Sequence, residues 1–448
     1  MLSSPYGDSL LFRVPTRLSK EALETDVLVV GAGVLGLSSA YYLKKRDPSR
    51  KVIVVEKLSG PGQGNSAKSE GGYRNLFASE TNYLLADSTI DWLHHLQEDL
   101  EYDIGLHELG YLWLLPEDEY RQRREPFDVA KKRGARVLEY SSEELKQMMP
   151  DLVTEFDESE DSQMMGLEDV EMGVFGPNCG SVDVDRLVKA YESEFLKIGG
   201  EIHYNTEATK LLHDPVEPLG IPGEPFVWQE SRIAGAETSK EKILAETTVV
   251  ACGVWASKVL DPIGFDCLMR PKKRQIFAFK DPKLSRLLNT KDFNEDNKLP
   301  ITILPTAGIL LKGEVSEESI WLACADNLGR KFELEDDPKP EDDYYSNNIY
   351  HALVQYMPCF EDVRPANSWA GQYDINGFDQ TPVVEASPGL IYVGASSGSG
   401  IMKSDALGRI VDAVNEEKEY ATLFGGRGFK VSDLSIGARR VERETLVV

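Results

Sequence analysis

The chain has 448 residues, a formal net charge of −26 and a hydrophobic content of 41%. This length exceeds what one compact core usually holds, so two domains, or three segments interleaved into two, are expected. The strong negative charge argues against nucleic acid and anionic membrane surfaces as general partners. No window of 18 consecutive apolar residues occurs, so no transmembrane segment is expected.

Cysteine and histidine usage argues against a metal centre. Five cysteines occur without a C-x-x-C pair, and six histidines are scattered along the chain. Neither set has the spacing of a zinc or iron–sulfur site, so we expect no bound metal and free thiols in a reducing compartment. The first 25 residues lack the long apolar run of a secretory signal. We therefore expect a cytoplasmic protein, with peripheral association at a membrane left open.

The first predicted element is a buried strand, Val27–Val30, which leads into a glycine-rich turn. Gly31, Gly33 and Gly36 follow in G-x-G-x-x-G spacing, before a helix-like run over 37–46. In this pattern the first glycine allows a tight turn, the second lets the backbone approach a pyrophosphate, and the third packs helix against strand. The helix N-terminus offers N–H groups to the phosphates. The segment predicts a dinucleotide site.

A second predicted strand, over 51–56, ends in Glu56, 20 residues beyond Gly36. The Glu56 carboxylate can accept hydrogen bonds from the ribose hydroxyls of a dinucleotide. It argues against NADP because it would repel a 2′-phosphate, although Lys57 beside it weakens that argument. NAD, FAD and, less readily, NADP all stay open from this segment.

A loop rich in glycine, serine and asparagine follows over 60–75. An irregular loop of roughly 15 residues inside a compact domain is usually functional. Its small residues and hydroxyl groups suit a backbone that wraps around a ligand. Arg74 supplies a cation at its end.

The middle of the chain alternates predicted helices and strands. Asp183 or Asp185 is placed to cap a helix that runs toward Leu196. Residues 214–240 hold four prolines and several glycines, which predicts a loop or a hairpin insertion. The other elements expected here are a helix over 82–100, a strand over 110–115, a helix over 120–133 and a turn with a strand over 199–209.

Two more buried strands run into glycine turns, at 247–255 and 390–400. The second leads into a predicted helix, 401–416, with Lys403 in its first turn. Together with the first turn, at Gly31, they would meet at the carboxyl edge of one sheet, where such sheets bind ligands. One ligand that touches all three turns must be long.

The region between the second and third turns is rich in predicted strands over 270–330. It begins with a local cationic patch over 270–274. Two polar stretches, 281–299 and 333–346, are interpreted as surface insertions.

The order and spacing of these motifs resemble the D-amino-acid oxidase and sarcosine oxidase family of FAD-dependent oxidoreductases, over residues 25–445. The fingerprint is similar to the family's ADP site, and 64–74 resembles its second flavin-binding loop. Residues 249–255 are similar to its strand before a G-x-W, and 398–402 to its G-x-G turn under the flavin. The segment 369–384 resembles its WAG…D…PV stretch. This stretch looks closest to the branch with the mitochondrial FAD oxidoreductase linked to respiratory complex I assembly.

The resemblance implies FAD as the cofactor. Some members attach flavin covalently through a cysteine just after the position of Trp369, where Ala370, Gly371 and Gln372 stand here. The 64–74 loop also lacks histidine, so non-covalent FAD is expected. The predicted cofactor-binding residues are Gly31, Gly33, Val34, Leu35, Gly36, Glu56, Lys57, Gly64, Asn65, Ser66, Gly71, Gly72, Ala208, Ala251, Gly253, Trp255, Gly371, Gly398, Gly400, Ile401, Met402 and Lys403.

The resemblance also implies residues that hold the substrate. In sarcosine oxidases an arginine at the end of the second loop and a lysine two residues past the last G-x-G hold the substrate carboxylate. Arg74 matches the arginine, whereas Met402 stands at the lysine position and Lys403 follows it. One residue along a helix is a rotation of about 100°, so Lys403 is expected to point away from the substrate. Tyr373 and Tyr73 are predicted walls of the pocket, and Arg74, Met402, Lys403 and Tyr373 are the catalytic candidates.

The expected fold is mixed α/β. A Rossmann-like FAD-binding domain would be built from residues 1–100, 173–265 and 365–448. A discontinuous substrate domain, a mostly antiparallel sheet with helices, would be built from 101–172 and 266–364.

The activity that the resemblance implies is oxidation of a C–N bond by hydride transfer to flavin. The substrate would be an amine or amino acid of the sarcosine, proline or D-amino-acid kind, with oxygen, a quinone or a carrier protein as electron acceptor. Two alternatives stay open. One is a subunit or assembly partner of an electron-transfer complex with largely structural FAD, and the other is an NAD(P)-linked dehydrogenase.

Overall fold

The computed structural model describes residues 22–157, 159–306, 308–325 and 331–446. Most strands in these ranges belong to two sheets of eight strands each. The strands are β1 (Leu23–Val30), β2 (Val52–Val55), β3 (Gly72–Tyr73), β4 (Tyr111–Leu115), β5 (Leu138–Ser141), β6 (Met172–Gly176), β7 (Gly180–Ser181), β8 (Glu201–His203), β9 (Ala208–Pro215), β10 (Ser231–Thr238), β11 (Lys242–Val250), β12 (Met269–Phe279), β13 (Ile301–Ile303), β14 (Ile309–Glu314), β15 (Ser319–Cys324), β16 (Asn367–Asn376), β17 (Val383–Ser387), β18 (Leu390–Gly394), β19 (Tyr420–Thr422) and β20 (Gly428–Lys430).

The first sheet has a parallel centre made of strands far apart in the sequence. Its order is β17-β18-β11-β1-β2-β8, and the hairpin β9–β10 extends it from β11. The pairs β18–β11, β11–β1, β1–β2 and β2–β8 are parallel. Every residue of β2 and β18 is buried, as expected for a parallel sheet covered on both faces. The predicted mixed α/β fold is confirmed.

Helix α1 packs against both α6 and α10 beside this sheet. Arg46 of α1 forms an ion pair with Asp412 of α10 at 2.7 Å, and Asp183 caps α6 by accepting a hydrogen bond from the Arg186 N–H. None of the helices in the described ranges is both long and apolar enough to cross a membrane. The α-helices are α1 (Val34–Arg46), α2 (Glu80–Glu98), α3 (Glu117–Lys132), α4 (Ser142–Met148), α5 (Glu160–Met165), α6 (Val184–Lys197), α7 (Ala256–Leu260), α8 (Ser285–Leu288), α9 (Tyr350–Tyr356) and α10 (Ser404–Asn415).

The second sheet has the order β16-β12-β15-β14-β13-β4-β6-β5. All its pairs are antiparallel except β13–β4. The long pairing of β12 with β16 runs from Met269 opposite Asn376 to Ala278 opposite Asn367. It therefore places the cationic patch beside the segment that resembles the family's WAG stretch.

The hairpin predicted within 214–240 is present as β9 and β10, joined by residues 216–230. The two polar stretches predicted as surface insertions, 281–299 and 333–346, contribute to the core of the second sheet instead. Leu284, Phe293 and Tyr345 from these stretches are all buried there. The prediction was wrong because widely spaced apolar residues in a polar segment give no clear period, although a few of them suffice to anchor it.

Two strands cross the predicted domain boundaries. Met172–Gly176 was assigned almost entirely to the FAD-binding part, and Asn367–Asn376 wholly to it, yet both pair within the second sheet. Residues 1–21 and 447–448 of the predicted FAD-binding domain lie outside the described residues. The division into two interleaved domains remains a proposal, with these two strands moved to the substrate side.

Candidate active site

A cavity of about 540 Å³ is lined by residues of both sheets. The turns after β1, β11 and β18 all contribute to its wall, as the sequence predicted. Of the residues predicted to contact cofactor or substrate, all line this cavity except Gly36, Gly71, Lys403 and Tyr73. One continuous cavity along three turns fits a long ligand.

One end of the cavity is formed by the start of α1. Gly33 is the N-cap and has φ −73° and ψ 179°, a conformation open to any residue. A Cβ atom at Gly33 would meet only the Ser66 Oγ, at 3.4 Å. The Val34 N–H donates to that same Ser66 Oγ at 3.3 Å. The uncrowded glycine, the hydroxyl and the helix N-terminus together fit a pyrophosphate.

The other two glycines of the fingerprint serve packing. Gly31 has φ +106°, and a Cβ there would lie 2.8 Å from the Ala251 carbonyl oxygen. A Cβ at Gly36 would overlap the Gly31 carbonyl oxygen. Gly36 therefore brings α1 against the turn, as predicted, but it does not line the cavity, in contrast to its prediction as a cofactor-binding residue.

Glu56 ends β2 beside this turn. Its carboxylate accepts hydrogen bonds from the Ala32 N–H at 2.7 Å and the Leu58 N–H at 2.9 Å. Each oxygen keeps acceptor capacity for a ribose hydroxyl. Lys57 pairs with Glu207 at 3.2 Å, so a 2′-phosphate here would meet two carboxylates. This end of the cavity fits an unphosphorylated ADP-ribose group.

The second loop is bound to the second sheet. The Gln372 N–H donates to the Asn65 Oδ1 at 2.9 Å, and the Trp369 indole donates to the Lys68 carbonyl at 3.2 Å. A Cβ at Gly371 would lie 2.8 Å from the Lys68 Cβ, so glycine permits this close approach. Gly71, with φ +73°, turns the loop toward Val182 and, unlike the other cofactor-binding residues predicted for this loop, does not line the cavity.

Arg74 lines the far end of the cavity, as predicted, and is nevertheless tied to the protein. Its guanidinium donates to the carbonyl oxygen of Leu76 and to that of Leu446, the latter at 2.6 Å. It also lies 4.1 Å from the centre of the Phe77 ring. Burial lowers the pKa of Arg74. Since a guanidinium has five N–H donors, these two bonds leave capacity for a ligand.

Arg274 lines the same end and was noted in the sequence only as part of a cationic patch. Its guanidinium lies 5.5 Å from the ring centre of Tyr373, which also lines the cavity. Burial, reinforced by Glu70 and opposed by Arg274, raises the pKa of Tyr373 to about 12. Alternation along β12 puts Arg274 on the same face as Ile276, another lining residue, and this period of two could have identified it.

Two more groups at this end were missed from the sequence. Glu70 lines the cavity, and the Lys312 ammonium donates to its carbonyl oxygen at 2.6 Å. Burial raises the pKa of the Glu70 carboxyl, with Lys312 opposing. Tyr111 takes the wall position predicted for Tyr73, whose hydroxyl instead donates to the His107 carbonyl at 3.3 Å.

The third turn closes the cavity beside Tyr373. Gly398 has φ +78°, and a Cβ there would overlap the Tyr373 ring. Ile401–Lys403 form a 3-10 turn and α10 begins only at Ser404, so the predicted helix start at Ile401 was too early. The cavity-lining backbone over 398–402 presents this tight turn to a ligand.

Met402 lines the cavity and Lys403 does not. Lys403 is 1% exposed, and its ammonium donates to the Asn82 Oδ1 at 2.6 Å and the Ser399 Oγ at 2.7 Å. The expectation that it points away from the substrate agrees with this arrangement. In contrast to the prediction that it contacts cofactor and substrate, Lys403 does not line the cavity, because its side chain turns into the packing between α2 and the third turn.

Lys403 should make stability depend on pH. Burial lowers its pKa from 10.5 to about 7. Between these values the unfolded chain keeps a proton that the folded protein has lost, so folding is stabilised as pH rises through this window. We expect the unfolding free energy of the wild type, relative to Lys403→Met, to rise by up to about 1.4 kcal/mol per pH unit. Denaturant unfolding of both proteins from pH 7 to 9 at fixed FAD concentration tests this, and a constant difference would contradict it.

The fold and the cavity are those expected of a dinucleotide-binding protein. The model of the family DAO, FAD dependent oxidoreductase, matches residues 26–413, and the chain belongs to this family. It is therefore an FAD-dependent oxidoreductase, and the choice between NAD and FAD left open by the fingerprint is resolved in favour of FAD.

Relatives extend over most of the chain. FAD-dependent oxidoreductase domain-containing protein 1 of Xenopus laevis is 26% identical over 445 residues, which cover 92% of this chain and 81% of the relative. Monomeric sarcosine oxidase of Bacillus sp. (strain B-0618) is 23% identical and covers 60% of this chain and 61% of its own. The crystal structure of L-proline dehydrogenase from P. horikoshii matches with a TM-score of 0.71 and 20% identity, covering 89% of this chain and 95% of that one.

Proposed function

We propose that the protein oxidises the C–N bond of a small amine or amino acid that carries a carboxylate. The observation that supports this most directly is that one continuous cavity is lined both by the dinucleotide turns and by Arg74, Arg274, Glu70, Tyr111 and Tyr373. A cationic and aromatic end suits a small anionic or zwitterionic organic molecule. Bound FAD supplies the hydride acceptor for this reaction.

Different residues lining the cavity would bind different parts of the substrate. Arg274, and the donors that Arg74 has left, would hold the substrate carboxylate through charge-assisted hydrogen bonds. Tyr111 and Tyr373 form the walls and exclude water, which strengthens these interactions. Glu70 brings a carboxyl group to the same end, where it would face the substrate amine. Such placement fixes the C–H bond that is broken, while the resulting imine is hydrolysed by water.

The relatives support this class of substrate. One similar protein is named for sarcosine and a similar fold for L-proline, both small secondary amines with a carboxylate. This chain differs from the sarcosine pattern by having Met402 where a lysine is expected. We therefore propose a substrate that is held by arginines from the second loop and from β12.

Anaerobic reduction of the bound flavin tests the proposal. The purified protein is mixed without oxygen with sarcosine, L- and D-proline, D-alanine, glycine and the uncharged amine N-methylbenzylamine. Loss of the oxidised-flavin absorbance with a carboxylated amine is expected, and readmission of air then separates an oxidase, which reoxidises fast, from a dehydrogenase. Bleaching by N-methylbenzylamine alone, or by no amine while dithionite still bleaches, would overturn the proposal and favour a structural flavin.

The flavin should be released by acid. No cysteine stands at Ala370, Gly371 or Gln372, and no histidine in the 64–74 loop, to bond it. Precipitation with trichloroacetic acid should leave the yellow colour in the supernatant, measured by absorbance and by chromatography against FAD. Colour that stays with the precipitate and with its tryptic peptides would show a covalent bond.

A further inference from the structure

The loop between β9 and β10, residues 216–230, exposes a cluster of apolar side chains. A globular surface usually exposes large apolar residues singly, so a cluster in one short loop calls for an explanation. Val227 is fully exposed, and the exposed fractions of the others are 45% for Val216, 54% for Leu219, 51% for Ile221 and 74% for Trp228.

The 216–230 loop is held in shape by its own polar groups. The Glu224 carboxylate accepts the N–H groups of Leu219 at 2.8 Å and Ile221 at 2.6 Å. The Gln229 amide donates to the Glu217 carbonyl at 2.8 Å and to Glu224 at 3.0 Å. The rings of Phe226 and Trp228 stack with their centres 5.7 Å apart. An internally bonded loop presents its apolar side chains at a low cost in conformational entropy, as a binding surface does.

The charges of this segment have one sign. Residues 216–230 contain Glu217, Glu224 and Glu230 and neither lysine nor arginine, whereas Asp214 in the adjoining strand stands opposite Arg232. Apolar anchors with a charged rim form the usual anatomy of a protein interface, and complementary charge on the partner guides its approach. We propose that the 216–230 loop docks a protein partner whose surface presents an apolar groove bordered by lysine or arginine side chains.

Two other occupants fit less well. Insertion into a lipid bilayer would carry the ionised Glu224 toward the apolar phase, because the pKa of this carboxyl is lowered by the N–H groups it accepts. Anionic lipid would also repel the acidic loop. A second copy of this chain would bring two molecules of charge −26 together.

The 216–230 loop lies far from the cavity in which the reaction is proposed to occur. Thr209 is the last residue of β9 that lines the cavity, and Pro215 ends this strand. Six steps of about 3.3 Å place the loop roughly 20 Å further along. Changes in the loop should therefore leave flavin content and turnover with a small artificial acceptor unchanged, which separates failure of this proposal from failure of the proposed reaction.

The test uses a photo-crosslinking amino acid at position 227 of the full chain, in cells that make it. A matched crosslinker at Phe378, which is 72% exposed outside this loop, serves as the control. The expected result is a discrete crosslink to one protein from position 227 only. Equal products from both positions, no product, or a product between two copies of this chain would overturn the proposal.

The captured protein is then purified and its affinity measured. Trp228→Ser should weaken binding by about tenfold or more, as expected for a central aromatic anchor, while Phe378→Ser should not. Glu217→Lys with Glu230→Lys should weaken it further at low salt. Unchanged affinity in the Trp228 variant would overturn the proposal. So would a result in which the wild type sediments with vesicles of phosphatidylcholine and phosphatidylglycerol and Trp228→Ser does not.

Discussion

Gly33→Val should yield a folded protein that purifies without FAD. The valine is compatible with the backbone at this position, φ −73°, and its Cβ would meet only the Ser66 Oγ at 3.4 Å. The rest of the side chain would extend into the cavity at the N-terminus of α1, where the pyrophosphate is expected to bind. The measurement is the ratio of absorbance near 450 nm to that at 280 nm, with circular dichroism to verify the fold.

Two other glycines make this test specific. Gly437→Val changes a glycine that has nothing within 4 Å of the added Cβ, and it should keep full flavin content. Gly36→Val, whose Cβ overlaps the Gly31 carbonyl, should lose the fold as well as the flavin. A Gly33→Val protein that stays fully yellow would contradict the placement of the FAD pyrophosphate beside Gly33. An unfolded Gly33→Val protein would show that this glycine is needed for packing.

Arg274→Ala should weaken the binding of carboxylated substrates. A lost charge-assisted hydrogen bond costs about 1.5–3 kcal/mol, roughly a 10- to 150-fold increase in Kd. The increase should be small for an uncharged amine of similar size. Arg274→Lys should recover part of the affinity, because it keeps the charge without the bidentate geometry. Anaerobic titration of the flavin with each substrate gives the Kd for the carboxylated substrate and the Kd for the uncharged amine.

Arg74→Ala provides the contrast. Arg74 donates to Leu76 and Leu446 inside the protein, so its loss should lower the unfolding temperature and weaken the binding of both kinds of substrate, with the larger loss for carboxylated ones. If Arg74→Ala affects only carboxylated substrates and Arg274→Ala affects both kinds equally, the assignment of the two arginines has to be reversed.

The cofactor end of the cavity could be predicted because its signals are local. Gly31, Gly33 and Glu56 belong to one continuous β-turn-α-β unit, in which spacing alone fixes their relative positions. The parallel pairing of β1, β11 and β18 was also predictable, because each strand is a buried run that ends in glycine. These features depend on neighbours in sequence and on general rules of sheet topology.

The substrate end could not be derived in the same way. Arg274 meets Tyr373 only because β12 pairs with β16, about a hundred residues later, and no local pattern fixes that register. Lys403 is a related case, since a 3-10 turn replaces the expected start of α10. Its ammonium donates a hydrogen bond to Asn82, which belongs to a helix distant in the sequence. Non-local packing decides where such side chains point.

The three turns that are proposed to bind FAD lie at residues 31, 251 and 400, and all of them line one cavity. During synthesis the ribosome releases the first of them long before the last. The turn at residue 31 is therefore made before the other two turns that line the cavity. A complete three-turn site therefore exists only after translation has passed the third turn. Because a ligand that binds only the folded form stabilises it by mass action, we expect a larger supply of FAD at that stage to raise the folded fraction of newly completed chain.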